Sequence, residues 1–128
     1  MERWASDNDK AALARAIRDG LRFGTLVIRR ESRWFPSQVN HPDKRRPFIA
    51  QEAWLFILKL LERGEPVERL SLRKPPGAPG WVIKVPDRSG RRIYIKLETT
   101  DAGYIYGRSF HYSDHDLMHD PKGQEDDE

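Results

Sequence analysis

The segment Arg91–Tyr112, RRIYIKLETTDAGYIYGRSFHY, decides the fold. Two runs rich in Ile, Tyr and Phe alternate with polar residues at a period of two, the spacing of a half-buried strand. Thr99 to Gly103 lies between them as a turn, so the segment predicts a β-hairpin. On a strand, positions 94, 96 and 98 share one face. Positions 109, 111 and 113 likewise share a face, and 108, 110 and 112 take the opposite one. Strict alternation therefore separates Arg108 from His111 unless the strand bends or ends between them.

Working outward, Trp81–Val85 and Val67–Leu72 are further β-prone runs, divided by the turn signals PDRSG and KPPGAPG. Sequential runs with short connections predict an antiparallel meander. Upstream, Pro47 suits the first residue of a helix. Phe48, Trp54, Leu55, Ile57, Leu58 and Leu61 give that helix a wide apolar face before Gly64. Asp7–Asp19 opens with Asp and Asn capping candidates, places Leu13 and Ile17 four apart and meets Gly20, which predicts a short amphipathic helix. Phe23–Ile28 is β-prone. The stretch Arg29–Arg46, polar, basic and broken by Pro36 and Pro42, reads as a strand end and a loop. Helices first and strands afterwards predict an α+β domain: a small twisted antiparallel sheet of about four strands, with two N-terminal helices on one face.

The 128 residues suit one domain, expected over 1–113, followed by an acidic and mobile tail at 114–128. That tail carries seven acidic residues against one Lys, whereas residues 1–113 carry 22 basic against 13 acidic residues, a net +9. A body so basic attracts polyanions, nucleic acid first among them. The tail has two readings, a solubilising segment or a competitor that folds onto the basic face. No apolar run approaches the roughly 20 residues of a membrane span, and the start MERWASDNDK lacks the apolar core of a secretory signal. A cytoplasmic protein with no membrane partner is the expectation. Without cysteine, disulfides, thiolate ligands and thiol nucleophiles are excluded.

The stretch GRRIYIKLETTDAGYIYGRSFHY resembles the C-terminal half of the MqsR/RelE-type ribonuclease toxins of bacterial toxin–antitoxin systems, over about the last third of the chain. The resemblance implies a twisted antiparallel sheet with helices on one side. It also implies cleavage of messenger RNA, in many members on the ribosome, and restraint by an antitoxin protein. Within it, Lys96 matches the family lysine on the penultimate strand. His111 stands after Ser-Phe, where the MqsR branch usually has Lys. That is a departure, although histidine near the end of the last strand is what several RelE-type relatives use.

Metal-free RNA cleavage needs a base for the 2′-hydroxyl, an acid for the leaving 5′-oxygen and cations for the phosphate. The catalytic candidates are His111 for proton exchange, Lys96 and Arg108 for the phosphate, and Tyr112 for orientation or base stacking. Arg91, Arg92, Lys44, Arg45, Arg46 and Trp34 are the RNA-binding candidates, an aromatic among cations being suited to stacking a base while holding its backbone. Each has a plainer reading. His111 could bond a neighbouring carbonyl, Arg91 and Arg92 could be solvated hairpin charges, and Trp34 with Phe35 could plug the core. His111, His115 and His119 are interleaved with Asp114, Asp116 and Asp120, and His115 and His119, four apart, would share a helix face, but the pattern lacks the Glu of the zinc-protease HExxH motif and a third ligand held on a rigid element, so no metal and no cofactor are expected. The alternative function is a non-catalytic nucleic-acid- or protein-binding module of regulatory or phage type.

Overall fold

A computed structural model describes residues 3–73 and 75–113, apart from the side chain at 31. The chain folds as α1 (Asp7–Phe23), β1 (Val27–Trp34), a 3₁₀ turn (Pro36–Gln38), α2 (Ala50–Glu62), β2 (Glu68–Ser71), β3 (Pro79–Pro86), β4 (Arg92–Thr99) and β5 (Ile105–Tyr112). It is α+β. The five strands lie in the order β1-β5-β4-β3-β2, antiparallel except for the parallel pair β1 and β5.

Ser6 caps α1, its Oγ accepting from the Asp9 amide while the Asp9 carboxylate accepts from the Ser6 amide, both at 3.0 Å. The helix does not stop at Gly20. It passes through that residue and ends at Gly24, whose φ of 69° is the left-handed cap. Gly20 serves packing instead: a Cβ there would lie 2.3 Å from Leu26 Cδ2. Helix α2 likewise departs from the expected start. Pro47 bridges to Asn40 and the Phe48 amide donates to the Val39 carbonyl, which keeps this segment extended until Ile49. Glu52 then accepts from the Ile49 amide and opens the helix at Ala50.

The larger correction is β1. The segment expected as a β-prone run to Ile28, then a strand end and a loop, holds an eight-residue edge strand that continues to Trp34, so among the described residues the sheet has five strands and is mixed. An edge strand beside a polar sheet face needs no apolar alternation, which hid it from the sequence pattern. One hydrophobic cluster joins Leu13, Ala14 and Ile17 of α1 and most of α2 to Trp81, Ile83, Val85, Ile93, Ile95, Leu97, Ile105 and Phe110. Both helices thus cover one face of the sheet, and the alternate residues form the other.

Candidate functional site

That other face carries the polar residues. In the β4–β5 ladder Tyr94 pairs with His111, Lys96 with Ser109 and Glu98 with Tyr106. Leu97, however, pairs with Gly107, which leaves Arg108 as an extra residue where the register of the ladder shifts. This is a β-bulge. It breaks the alternation, so Arg108 points to the same face as Ser109 and His111, and Arg108 Nη1 donates to Glu98 Oε1 at 2.9 Å. Beside it β1 runs from Ile28 to Arg33 while β5 advances only from Gly107 to Ser109. From this looped-out stretch Arg29 reaches back to Glu98, Nε to Oε1 at 3.0 Å and Nη2 to Oε2 at 2.7 Å, with its guanidinium 4.3 Å from the Tyr106 ring centre.

Two arginines thus grip one carboxylate whose side chain is 1% exposed. Burial by itself raises the Glu98 carboxyl, but the hydrogen bonds from Arg29 and Arg108 outweigh it and hold the group below its ordinary value. Glu98 is therefore an anion that fixes two cations. Lys96, fully buried, lies next along β4. About 7 Å further along the strands the His111 ring stacks on Tyr94, centroids 5.4 Å apart. His111 Nδ1 lies 2.7 Å from the Tyr112 carbonyl oxygen. A carbonyl only accepts, so Nδ1 carries the hydrogen, and in the neutral ring Nε2 is the basic nitrogen.

The other candidates lie elsewhere. Tyr112 is on the helix-side face: its hydroxyl donates to Asp87 Oδ2 at 2.6 Å and accepts from the Asn40 amide at 3.1 Å, and the Arg91 guanidinium sits 3.7 Å from its ring centre. Burial and the Asp87 bond both raise its phenol. Tyr112 thus fastens the end of β5 to two loops and does not join His111. Trp34 turns into the core, stacked on Trp54 at 5.0 Å and tilted against Phe110 at 5.4 Å, while Phe35 stays exposed. Lys44 and Arg46 both bind Glu52, Arg46 with two bonds of 2.9 and 2.7 Å. These bonds hold the Glu52 carboxyl far below its usual range. Arg45 and Arg92 are exposed. His41 is stacked on Phe48, and burial keeps it neutral below its ordinary pKa, so its Nδ1 can accept from the Asp43 amide. His115, His119, Asp114, Asp116, Asp120 and the rest of the acidic tail lie outside the described residues.

Alternation places Tyr94, Lys96 and Glu98 on one face, but nothing in it distinguishes Glu98 as the centre of a clamp. Arg29 falls at the predicted strand end, where the sequence pattern gives no pairing with β5 and so no route to Glu98. The site is therefore Arg29, Glu98 and Arg108 as a fixed charge cluster, with Lys96, Ser109, Tyr94 and His111 beside it on the sheet face away from the helices. Protein-family models, curated proteins and solved structures give no match to the chain. Among the described residues no helix is long and apolar enough to cross a membrane.

Proposed function

We propose that this protein is a toxin-type endoribonuclease that cleaves RNA without a metal or other cofactor and is controlled by a cognate antitoxin in the cytoplasm. The observation that carries the reading is the bulge at Arg108, which removes the obstacle of strand alternation: Arg108, Lys96 and His111 share one face. His111 Nε2 takes the proton of the 2′-hydroxyl, the 2′-oxygen attacks phosphorus, and the 5′-oxygen leaves with a proton from water. Arg108, fixed by Glu98, and Lys96 are buried cations of the same face and act on the charge growing on the phosphate through their field rather than by contact. Messenger RNA on the ribosome is the substrate class the family resemblance supports.

One observation favours the second reading, a non-catalytic nucleic-acid- or protein-binding module. Lys96 has no exposed surface and His111 only 9%, which leaves a substrate little of either side chain to meet. The deciding experiment incubates purified protein with RNA and EDTA, alone and with ribosomes, beside His111→Ala. A proton-transfer role predicts a loss of about 10²-fold or more in the variant. Cleavage unchanged in His111→Ala would remove the assignment, and salt-sensitive binding with no cleavage would favour the module.

A further inference from the structure

The sequence treats Lys44, Arg45 and Arg46 as equivalent, but the fold does not. Lys44 and Arg46 are held by Glu52, whereas Arg45 makes no ion pair among the described residues. Arg45 also has a φ of 58°, the only non-glycine residue among those described in the left-handed region. Glycine would take that conformation without cost. An arginine there carries a strained backbone, and the residue borders a particular place.

That place is a cavity of about 300 Å³ between two loops, with His41, Pro42 and Arg45 on one side and Asp87, Arg88 and Ser89 on the other. Arg88 Nη1 donates to the Pro42 carbonyl at 3.2 Å, which ties the loops together and sets a second guanidinium at the cavity wall. Asp87, the one carboxylate of the lining, is turned to internal duty. Its Oδ1 accepts from the Ser89 amide, the Ser89 hydroxyl and the Arg91 amide, and its Oδ2 accepts from Tyr112. Its charge is spread over four donors, and two arginines line the cavity beside this one carboxylate. Tyr112 connects this cavity to the site on the sheet: its hydroxyl holds Asp87 and Asn40, and its carbonyl oxygen holds the His111 ring. The cavity is thus at the end of the sheet where His111 lies.

We propose that the cavity is a phosphate subsite in which Arg45 and Arg88 bind a backbone phosphate of the same RNA strand that crosses the sheet face. The ligand's identity as RNA rests on the proposed function; the site's preference for a phosphate group rests on the two guanidiniums. Two forking guanidiniums suit that group because each can give it paired N–H donors.

The test measures binding of an uncleavable 2′-O-methyl oligonucleotide to the parent protein, Arg45→Gly, Arg45→Lys and Arg88→Ala, so that cleavage has no part in the readout. Arg45→Gly should fold at least as stably as the parent, because it relieves the left-handed arginine, yet lose about tenfold in affinity. Its salt slope should flatten by about 0.7, the share of one single-strand phosphate contact. Arg45→Lys should fall between the two, and Arg88→Ala should match Arg45→Gly. Parent-level affinity and slope in Arg45→Gly would overturn the subsite. Inorganic phosphate that shifts the Asn40 and Ser89 amide resonances and displaces no oligonucleotide would overturn the RNA assignment, leaving a free anion as the ligand. If the protein cleaves no RNA while Arg45→Gly still weakens the oligonucleotide, the nuclease reading fails and the subsite stands.

Discussion

Glu98→Gln is the most direct test of the charge cluster beneath the site. Gln keeps the volume, so no cavity forms, but it removes the charge and one acceptor oxygen from a side chain that receives three N–H bonds of 2.7 to 3.0 Å. The Arg108 side chain is 7% exposed and cannot turn to water, whereas Arg29 at 40% can. Removing one partner of a buried pair costs about 3–5 kcal/mol, and the freedom of Arg29 places this case near about 3 kcal/mol. For roughly 110 ordered residues that lowers the melting temperature by about 12 °C. The same variant has a pH signature. Because the folded carboxyl titrates below its unfolded value of 4.5, its stabilisation is present above about pH 4.5 and is lost as the pH falls through the folded pKa. Thermal unfolding followed by circular dichroism between pH 7 and pH 3 should show the parent losing stability on acidification more steeply than Glu98→Gln. Arg29→Gln should cost less, and Glu98→Gln with Arg108→Gln less than the sum of the two singles. A Glu98→Gln protein melting within about 3 °C of the parent, or an acid limb equal to the parent's, would refute the clamp.

Three further outcomes follow from the same geometry. In Gly107→Ala the new Cβ would sit 2.7 Å from the Trp34 ring, and overpacking of that kind should cost about 1–3 kcal/mol in chemical denaturation; a neutral result would mean that Trp34 does not lie on β5. Tyr112→Phe should lose about 1–2 kcal/mol of stability with its bonds to Asp87 and Asn40. It should retain the parent's turnover of saturating RNA, because the phenol is on the face opposite His111; a hundredfold drop in turnover would put the hydroxyl in the chemistry. For the parent protein, contact of about four phosphates with single-stranded RNA gives a log–log salt slope of about −3, measurable by fluorescence anisotropy, and a slope flatter than about −1 would be incompatible with a basic RNA-binding face.

The meander from β2 to β5 was legible because its inward residues alternate with polar ones and its turns are marked by Pro and Gly. Helix α1 was legible too, but its end was misplaced because Gly20 acts on Leu26 rather than on the helix terminus. Glycine in a sequence announces that something needs room or a left-handed φ; which of the two depends on a neighbour 6 residues away that local pattern does not identify. The same ambiguity affected α2, where Pro47 fits a first helical turn equally well as the bridge to Asn40 that the loop requires.

The bulge is a different kind of omission. Period-two reasoning assumes that β5 advances one residue for each residue of β4, and on that assumption GYIYGRSFHY divides Arg108 from His111. The extra residue is accommodated because β1, whose pairing and extent beyond Ile28 the sequence pattern did not mark, loops out between Ile28 and Arg33 and sends Arg29 to share Glu98 with Arg108. Edge strand, bulge and ion cluster therefore depend on one another. The bulged arginine would lose its ion pair with a buried carboxylate without Glu98, and the looped-out β1 would lose one anchor without Arg29. Reading any one of the three from sequence needs the other two, so the residues of the site were visible singly while their convergence on one face was not.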